Sequence, residues 1–382
     1  MMQKAVLIAG AGIGGLTLAC ALAKKGIEAR VFERAPSLGA AGAGITVQAN
    51  AMAALRHVEI GLMESVAAEG RALCSGAILA PDGRVLRAAP FDAAAGVDAP
   101  VVAIHRARLH HVLMAAAGEG RLALGHAATG YEEDEGGVTL RLEGGGAVRG
   151  AALVGADGLR SAVRAAMLGD GEPRYAGYTS WRGVCRAPAG VSEDTVSETW
   201  GRGLRFGVVP IGHGEIYWFA TANAPPGGRD APDPRPALVA RFGGWHAPIP
   251  ALLEATRPEA ILRTDIRDRP PASRWSTRRV TLLGDAAHPM TPNLGQGGCQ
   301  AIEDAVVLAD FLAKHEGIPE ALSAYEARRI PRANAVVERA RQLGLVGQWE
   351  NALSCRVRDF AMRLVPKRIM ARSTRELMTF PG

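Results

Sequence analysis

The chain has 382 residues, 48% of them apolar and 21% charged, which is enough to bury a sizeable core and excludes a disordered tail or a coiled coil. A formal charge of +6 suits a phosphate-bearing or anionic ligand, scattered Arg residues on a solvated face account for it equally well, and no nucleic-acid partner is expected. The five cysteines, at 20, 74, 185, 299 and 355, form no Cys-x-x-Cys pair and leave one over in any disulfide scheme, so a reducing cytoplasm is the expected compartment.

Residues 5 to 9 form a short apolar run that reads as a buried strand, and Gly10, Gly12 and Gly15 follow in G-x-G-x-x-G spacing. Leu16, Leu18 and Leu22 continue at helical spacing as far as Gly26, and "EARVFER" supplies a second strand ending at Glu33. Despite the apolar character of this stretch, its glycines argue against reading it as a signal peptide or a membrane span. Strand, glycine turn, helix and an acid about 20 residues on make a βαβ unit for a dinucleotide. The glycines allow a tight turn and close approach to a pyrophosphate, the helix N-terminus faces the phosphates, and Glu33 accepts from ribose hydroxyls. An acid at that position disfavours a 2′-phosphate, so FAD or NAD is expected rather than NADP.

After Glu33 the βαβ alternation stops. "GAAGAGITVQANAMAALRHVEIGL" gives a Gly-rich loop, a short strand and one helix, and "GAILAPDGRVLRA" is β-like. "VVAIHRARLHHVLMAAA" opens a helix with Leu109 and Leu113 on one face and Arg106 at its N-terminus, where it either bridges a pyrophosphate or sits on a solvated surface. A β-meander with Gly-rich turns follows, its acidic run at 132 to 135 reading as a solvated hairpin edge. It leads to a buried strand at Ala151 to Val154, with Asp157 just beyond as either a crevice residue or a helix cap. Between 175 and 245 short aromatic strands predict a largely antiparallel second domain, followed by a helical segment near 236 to 256. "VTLLGDAAHPMTPNLGQGGCQAIEDAVVLADFL", residues 280 to 312, is then a second junction of strand, glycine-rich loop and helix, with Asp285 beside it.

Four motifs in order, "GAGIGG" with Glu33, "HRARLHHVL" with Arg106, "LVGADGLRSAVR" and "LLGDAAHPMTPNLGQGGCQAIEDA", give the chain its resemblance to the class A FAD-dependent monooxygenases of the para-hydroxybenzoate hydroxylase fold. The stretches "RYAGYTSWRG", "IYWFA" and "TPNLGQGGCQAIEDAVVLA" are similar to FAD-dependent urate hydroxylase, and secondarily to zeaxanthin epoxidase and salicylate hydroxylase. The resemblance implies an α/β fold: a Rossmann-like three-layer FAD-binding domain, discontinuous over 1–70, 102–174 and 276–345, with a largely antiparallel β substrate domain (71–101 and 175–275) and a C-terminal helical region (346–382). Both glycine-rich junctions then hold one FAD. Asp285 would bond a ribityl hydroxyl, and Pro292, Gly295, Gln296 and Gly297 would run along the isoalloxazine. The helix beginning near Gly298 would aim its positive end at the flavin. Arg106 would reach the pyrophosphate and ribityl region, with Thr46 nearby, Arg34 at the adenosine end and Asp157 on the pyrophosphate side.

The implied reaction uses NADH or NADPH as a transient co-substrate and O₂, passing oxygen from a flavin C4a-hydroperoxide to an electron-rich aromatic or olefinic small molecule by hydroxylation or epoxidation. A flavin-dependent reductase without oxygen transfer is the alternative. No metal is expected: His288, the pair His110-His111 and the other histidines lack ligand spacing. Arg205 and Tyr217 align with positions that touch substrate in urate hydroxylase, so Arg205 would pair an anionic group and Tyr217 would face the site. Asn293 stands where the urate hydroxylase pattern has an acid, which argues against urate. The basic tail "RDFAMRLVPKRIMARSTRELM" is expected to pack on the FAD domain with Arg facing solvent, in preference to lying on a membrane.

Overall fold

A computed structural model describes residues 5–38, 43–91 and 99–382. The first part of the Gly-rich loop read from Gly39 lies outside them. Five parallel strands form the central sheet, in the order Val280–Leu282, Ala152–Gly155, Val6–Ala9, Ala29–Glu33 and Leu122–Leu124. Val6 to Ala9 and Ala152 to Gly155 are buried throughout, as strands covered on both faces must be. The first and last thirds of the chain thus share one sheet. Their helices interlock too: a Cβ on Gly14 would lie 2.4 Å from Leu283 and 3.1 Å from Ala301, so only glycine lets helix Ile13–Lys24 cross helix Gly297–Lys314 this closely.

A seven-stranded sheet carries the second layer, in the order Leu262–Asp268, Arg174–Arg186, Glu215–Asn223, Leu204–Pro210, Thr195–Trp200, Ser75–Leu79 and Val85–Pro90. All its pairings are antiparallel except that of Thr195–Trp200 with Ser75–Leu79. Alternation sorts its side chains. Phe206 and Trp218, stacked at 5.4 Å, join Phe242, Leu252 and Leu253 in an apolar core, while Arg205, Val209, Tyr217 and Phe219 turn to the opposite face. A small sheet, Gly44–Val47, Val101–His105 and Arg71–Leu73, lies at the junction of the two layers.

Two helical readings are corrected. The segment near 236 to 256 is two helices, Arg235–Phe242 and Ile249–Ala255, separated by Gly243-Gly244 and Pro248. The single helix expected after Thr46 is also two, Ala49–Val58 and Ile60–Glu69, because Glu59 is extended (φ −166°). Helix Ile318–Gly347 leads into the C-terminal region, which consists of helices Ala352–Leu364 and Lys367–Met378, parted at Pro366. Among the described residues all five cysteines are free, and no helix is long and apolar enough to cross a membrane.

Candidate active site

The loops leaving the carboxyl ends of the parallel strands converge, as ligand-binding loops do in open α/β sheets. Gly10 follows Ala9, Glu33 ends its strand, Asp157 follows Gly155 and Asp285 follows Leu282. The fingerprint glycines divide into two kinds. Gly10 has φ +105° and a Cβ there would sit 2.4 Å from the Ala156 carbonyl, while a Cβ on Gly15 would sit 2.0 Å from the Gly10 carbonyl, so the protein itself requires both. A Cβ on Gly12 meets nothing within 4 Å and its φ of −70° suits any residue. The space beside Gly12 is therefore left for something other than protein, at the uncapped N-terminus of helix Ile13–Lys24.

Glu33 accepts from the Ala11 and Ala35 amides at 2.8 and 2.9 Å, and Arg34 is exposed. Asp157 does more structural work than a phosphate-side role requires. Its Oδ2 accepts from the Ala162 and Val163 amides at 2.7 and 3.3 Å, in the first turn of helix Ala162–Leu168, while Oδ1 is buried with no donor. Burial raises its carboxyl pKa against the pull of these hydrogen bonds.

A cavity of about 710 Å³ extends from this crevice to the seven-stranded sheet. Thr46, Arg106, Asp285, Pro292, Gly295 and Gly297 line one side, and Arg205, Tyr217, Phe219 and Phe91 the other. Asp285 is exposed to the cavity, between buried Gly284 and Ala286. Burial raises its carboxyl pKa, and His288 and Arg106 partly offset the rise. Gly295 adopts φ +63°, which turns the chain into helix Gly297–Lys314, whose N-terminus has no side-chain cap and faces the cavity at Gly297 and Gly298.

Gln296 turns its side chain away from the cavity. Its side chain is buried behind the loop, with Nε2 donating to Gln48 (2.7 Å) and Oε1 accepting from Asn50 (3.0 Å) and Gln300 (2.9 Å), so only its backbone is available on the cavity side. Arg205 is likewise more engaged than a fork awaiting an anion. It is 2% exposed, and its Nε donates to Gln348 (2.7 Å), Nη1 to Glu198 (3.1 Å) and Nη2 to Asn293 (2.6 Å). Arg205 thereby ties the substrate sheet, the flavin-side loop and the C-terminal segment together, with two N–H groups left for the cavity. Asn293 also accepts from Tyr178 (3.2 Å) and donates to Thr291 and Ala340.

Sequence reading missed Glu198, which lines the cavity and supplies the carboxylate that Arg205 lacks at Asn293. The alternation in "DTVSETW" puts Glu198 on the same face as Val196, and that was the one available signal. Tyr217 packs its ring against Gly44, whose Cβ would come within 2.5 Å of it, and burial raises its phenol pKa.

Behind the loop lies a buried charge cluster. Arg329 donates to Glu303 and Asp304, both at 2.6 Å; Arg332 donates to Glu303 at 2.7 Å; and His288 Nε2 meets Asp304 Oδ2 at 2.5 Å. His288, in the loop after Ala287, is thus a buried partner of Asp304. Asn50 links the cluster to the Gln296 amides, donating to Glu303 at 2.6 Å and to Gln296 at 3.0 Å. Burial alone would raise the Asp304 carboxyl, but His288 and Arg329 outweigh it and bring the pKa down to about 2.

Asp285 and the uncapped N-terminus of helix Gly297–Lys314 on the cavity, with the open space at Gly12 beside the uncapped N-terminus of helix Ile13–Lys24, fit a flavin dinucleotide, and the comparisons agree. The chain is similar to aurachin C monooxygenase/isomerase of Stigmatella aurantiaca (53% identity, 98% of each chain) and to chloroplastic zeaxanthin epoxidase of Solanum lycopersicum (37% identity, 91% of this chain and 55% of that protein). Its fold matches crystalline Klebsiella pneumoniae HpxO complexed with FAD and uric acid at a TM-score of 0.91, with 30% identity over 99% of this chain and 98% of that one. These findings define an FAD-dependent monooxygenase with NAD(P)H as reductant. Residues 3–340 match the FAD binding domain family, to which the chain belongs.

Proposed function

We propose that the chain oxygenates an apolar, electron-rich aromatic or olefinic molecule, with aurachin C as the first substrate to assay. The observation that carries this reading is the single cavity in which the glycine loop 292–298 faces the aromatic wall of Phe91, Tyr217 and Phe219. The 53% identity to aurachin C monooxygenase/isomerase supports it. Neutral Asn293, held by Arg205 and Tyr178, offers no general base for urate.

Bound FAD accepts hydride from NAD(P)H and activates O₂; the protein holds and orients. Gly12 and the first turn of helix Ile13–Lys24 would face the pyrophosphate, and Asp285 would accept from a ribityl hydroxyl. The N-terminus of helix Gly297–Lys314 would stabilise negative charge at the pyrimidine edge of the flavin. Tyr217 and Phe219 would wall the substrate, and the Arg205–Glu198 pair would fix the floor beneath it.

When aurachin C is added to the yellow holoenzyme with NADH or NADPH, oxidation of the nicotinamide should accelerate and the product should gain the mass of one oxygen atom. If every aromatic or olefinic compound leaves unchanged in mass while all oxygen ends as hydrogen peroxide, the oxygen-transfer assignment fails. Asp285→Ala should remove a buried hydrogen bond worth about 1 to 3 kcal/mol and weaken FAD retention accordingly, measured by equilibrium dialysis. Unaltered retention would assign Asp285 to the loop alone. Glu198→Gln and Tyr217→Phe should keep FAD but raise the peroxide formed per NAD(P)H, since transfer needs the substrate carbon within roughly 3 to 3.5 Å of the oxygen. Wild-type coupling in both variants would move the substrate contacts elsewhere on the cavity wall.

A further inference from the structure

Helix Ala352–Leu364 is anchored on one face and bare on the other. Asn351 caps it, accepting from the Leu353 and Ser354 amides at 2.9 and 3.1 Å. Its inner face carries Cys355 and Arg358, both buried; Arg358 donates to the Gly201 carbonyl at 3.2 Å and lies over Trp200 at 5.3 Å. Arg87 adds a tie from strand Val85–Pro90 to the Met362 carbonyl at 2.8 Å. The rotational setting of the helix is therefore fixed.

The outward face carries Leu353, Val357, Phe360 and Leu364, which are 69, 57, 64 and 63% exposed. At 3.6 residues per turn these four positions fall within roughly 60° of arc. Leu345 and Trp349, just before the helix, and Val365, just after it, are exposed as well. Scattered exposed apolar residues are ordinary on a protein surface; a stripe of this length along one rigid helix is not. Arg356 and Arg363, seven residues apart, stand together on one flank of the stripe, and Arg368 lies beyond it; all three are exposed. Residues 352–382 contain seven Lys or Arg against two Asp or Glu, a net of +5 in a chain whose formal total is +6.

We propose that this helix docks the enzyme on an anionic phospholipid surface, with Leu353, Val357, Phe360 and Leu364 entering the acyl boundary and Arg356 and Arg363 meeting lipid phosphates. An apolar face bordered by cations on a helix lying in the interface plane is the pattern of interfacial binding. Among the described residues no helix is suited to span a bilayer, so contact would be peripheral. A second copy of the chain fits less well. Symmetric pairing would bring Arg356 and Arg363 close to their own counterparts, and the one acid of this helix, Asp359, is already paired with Arg358 at 2.9 Å.

The holoenzyme should float with vesicles of phosphatidylcholine mixed with phosphatidylglycerol at low salt and remain unbound with phosphatidylcholine alone. Leu353→Glu combined with Phe360→Glu should abolish flotation. Arg356→Gln combined with Arg363→Gln should weaken it roughly thirtyfold, from about fivefold per lost cation. All four positions are exposed and remote from the cavity, so FAD content should stay at the wild-type level and serves as the control for folding. Absence of wild-type flotation on anionic vesicles overturns the proposal, as does flotation that both double variants retain. A dimer in sedimentation equilibrium that Leu353→Glu with Phe360→Glu dissolves, without any vesicle binding, would assign the stripe to self-association.

Discussion

Arg329→Met should destabilise the protein by about 3 to 5 kcal/mol, the cost of leaving buried carboxylates without their cation. Met keeps much of the apolar stem and removes only the charge and its donors. Arg329 is fully buried and satisfies Glu303, Asp304 and the Gln300 side chain at once. His288 and Arg332 remain to serve one carboxylate each, which is why total unfolding is not expected. Urea unfolding of the apoprotein measures the effect, and a loss below about 1 kcal/mol would show that the remaining partners suffice.

The cluster also sets an acid limit. Asp304, with its pKa depressed to about 2 in the fold, contributes stability that is complete above the ordinary carboxylate range and is lost as pH falls through that value. Arg329→Met should lift this window, so that the variant unfolds at a higher pH than the parent.

Gly12→Val should leave the fold intact and cost FAD roughly five- to a hundredfold in affinity, as a bulky group entering a filled space does. The backbone at Gly12 is extended, and a Cβ meets no protein atom within 4 Å, so the apoprotein should unfold at the parent's urea midpoint. Gly15→Ala provides the contrast: its Cβ would fall 2.0 Å from the Gly10 carbonyl, so stability and FAD should be lost together. Dialysis against free FAD and urea titration of each apoprotein separate the two effects. Parental FAD affinity in Gly12→Val would mean that the open space beside this glycine is not where the cofactor lies.

What the sequence made legible were the places where backbone geometry dictates the residue. The turn at Gly10, the close pass at Gly15 and the bend at Gly295 each need glycine, and the acids Glu33 and Asp285 stand at strand ends that an apolar run marks. Contacts between segments far apart in the chain left no local trace. Gly14, which admits the helix crossing, reads as one more glycine in a rich stretch. Gln348 donates and accepts at the heart of the Arg205 network, yet sits in a polar turn that nothing in the sequence distinguishes. Gln296 shows a further limit: spacing places a residue in a loop, but only packing decides which way its side chain turns.

The sharing of one sheet by the two ends of the chain bears on how the protein is made. Gly12 leaves the ribosome early, whereas Asp285 and helix Gly297–Lys314, which complete the same crevice, come close to 300 positions later. At 5 to 20 residues per second that interval lasts about 15 to 60 s. Throughout it helix Ile13–Lys24 lacks the partner that covers Gly14, and strand Ala152–Gly155, once made, has no neighbour on the side that Val280–Leu282 will fill. The nascent chain is thus an unfinished sheet with an open edge, a state that invites pairing with other chains, and cofactor capture must be one of the last events of its biogenesis.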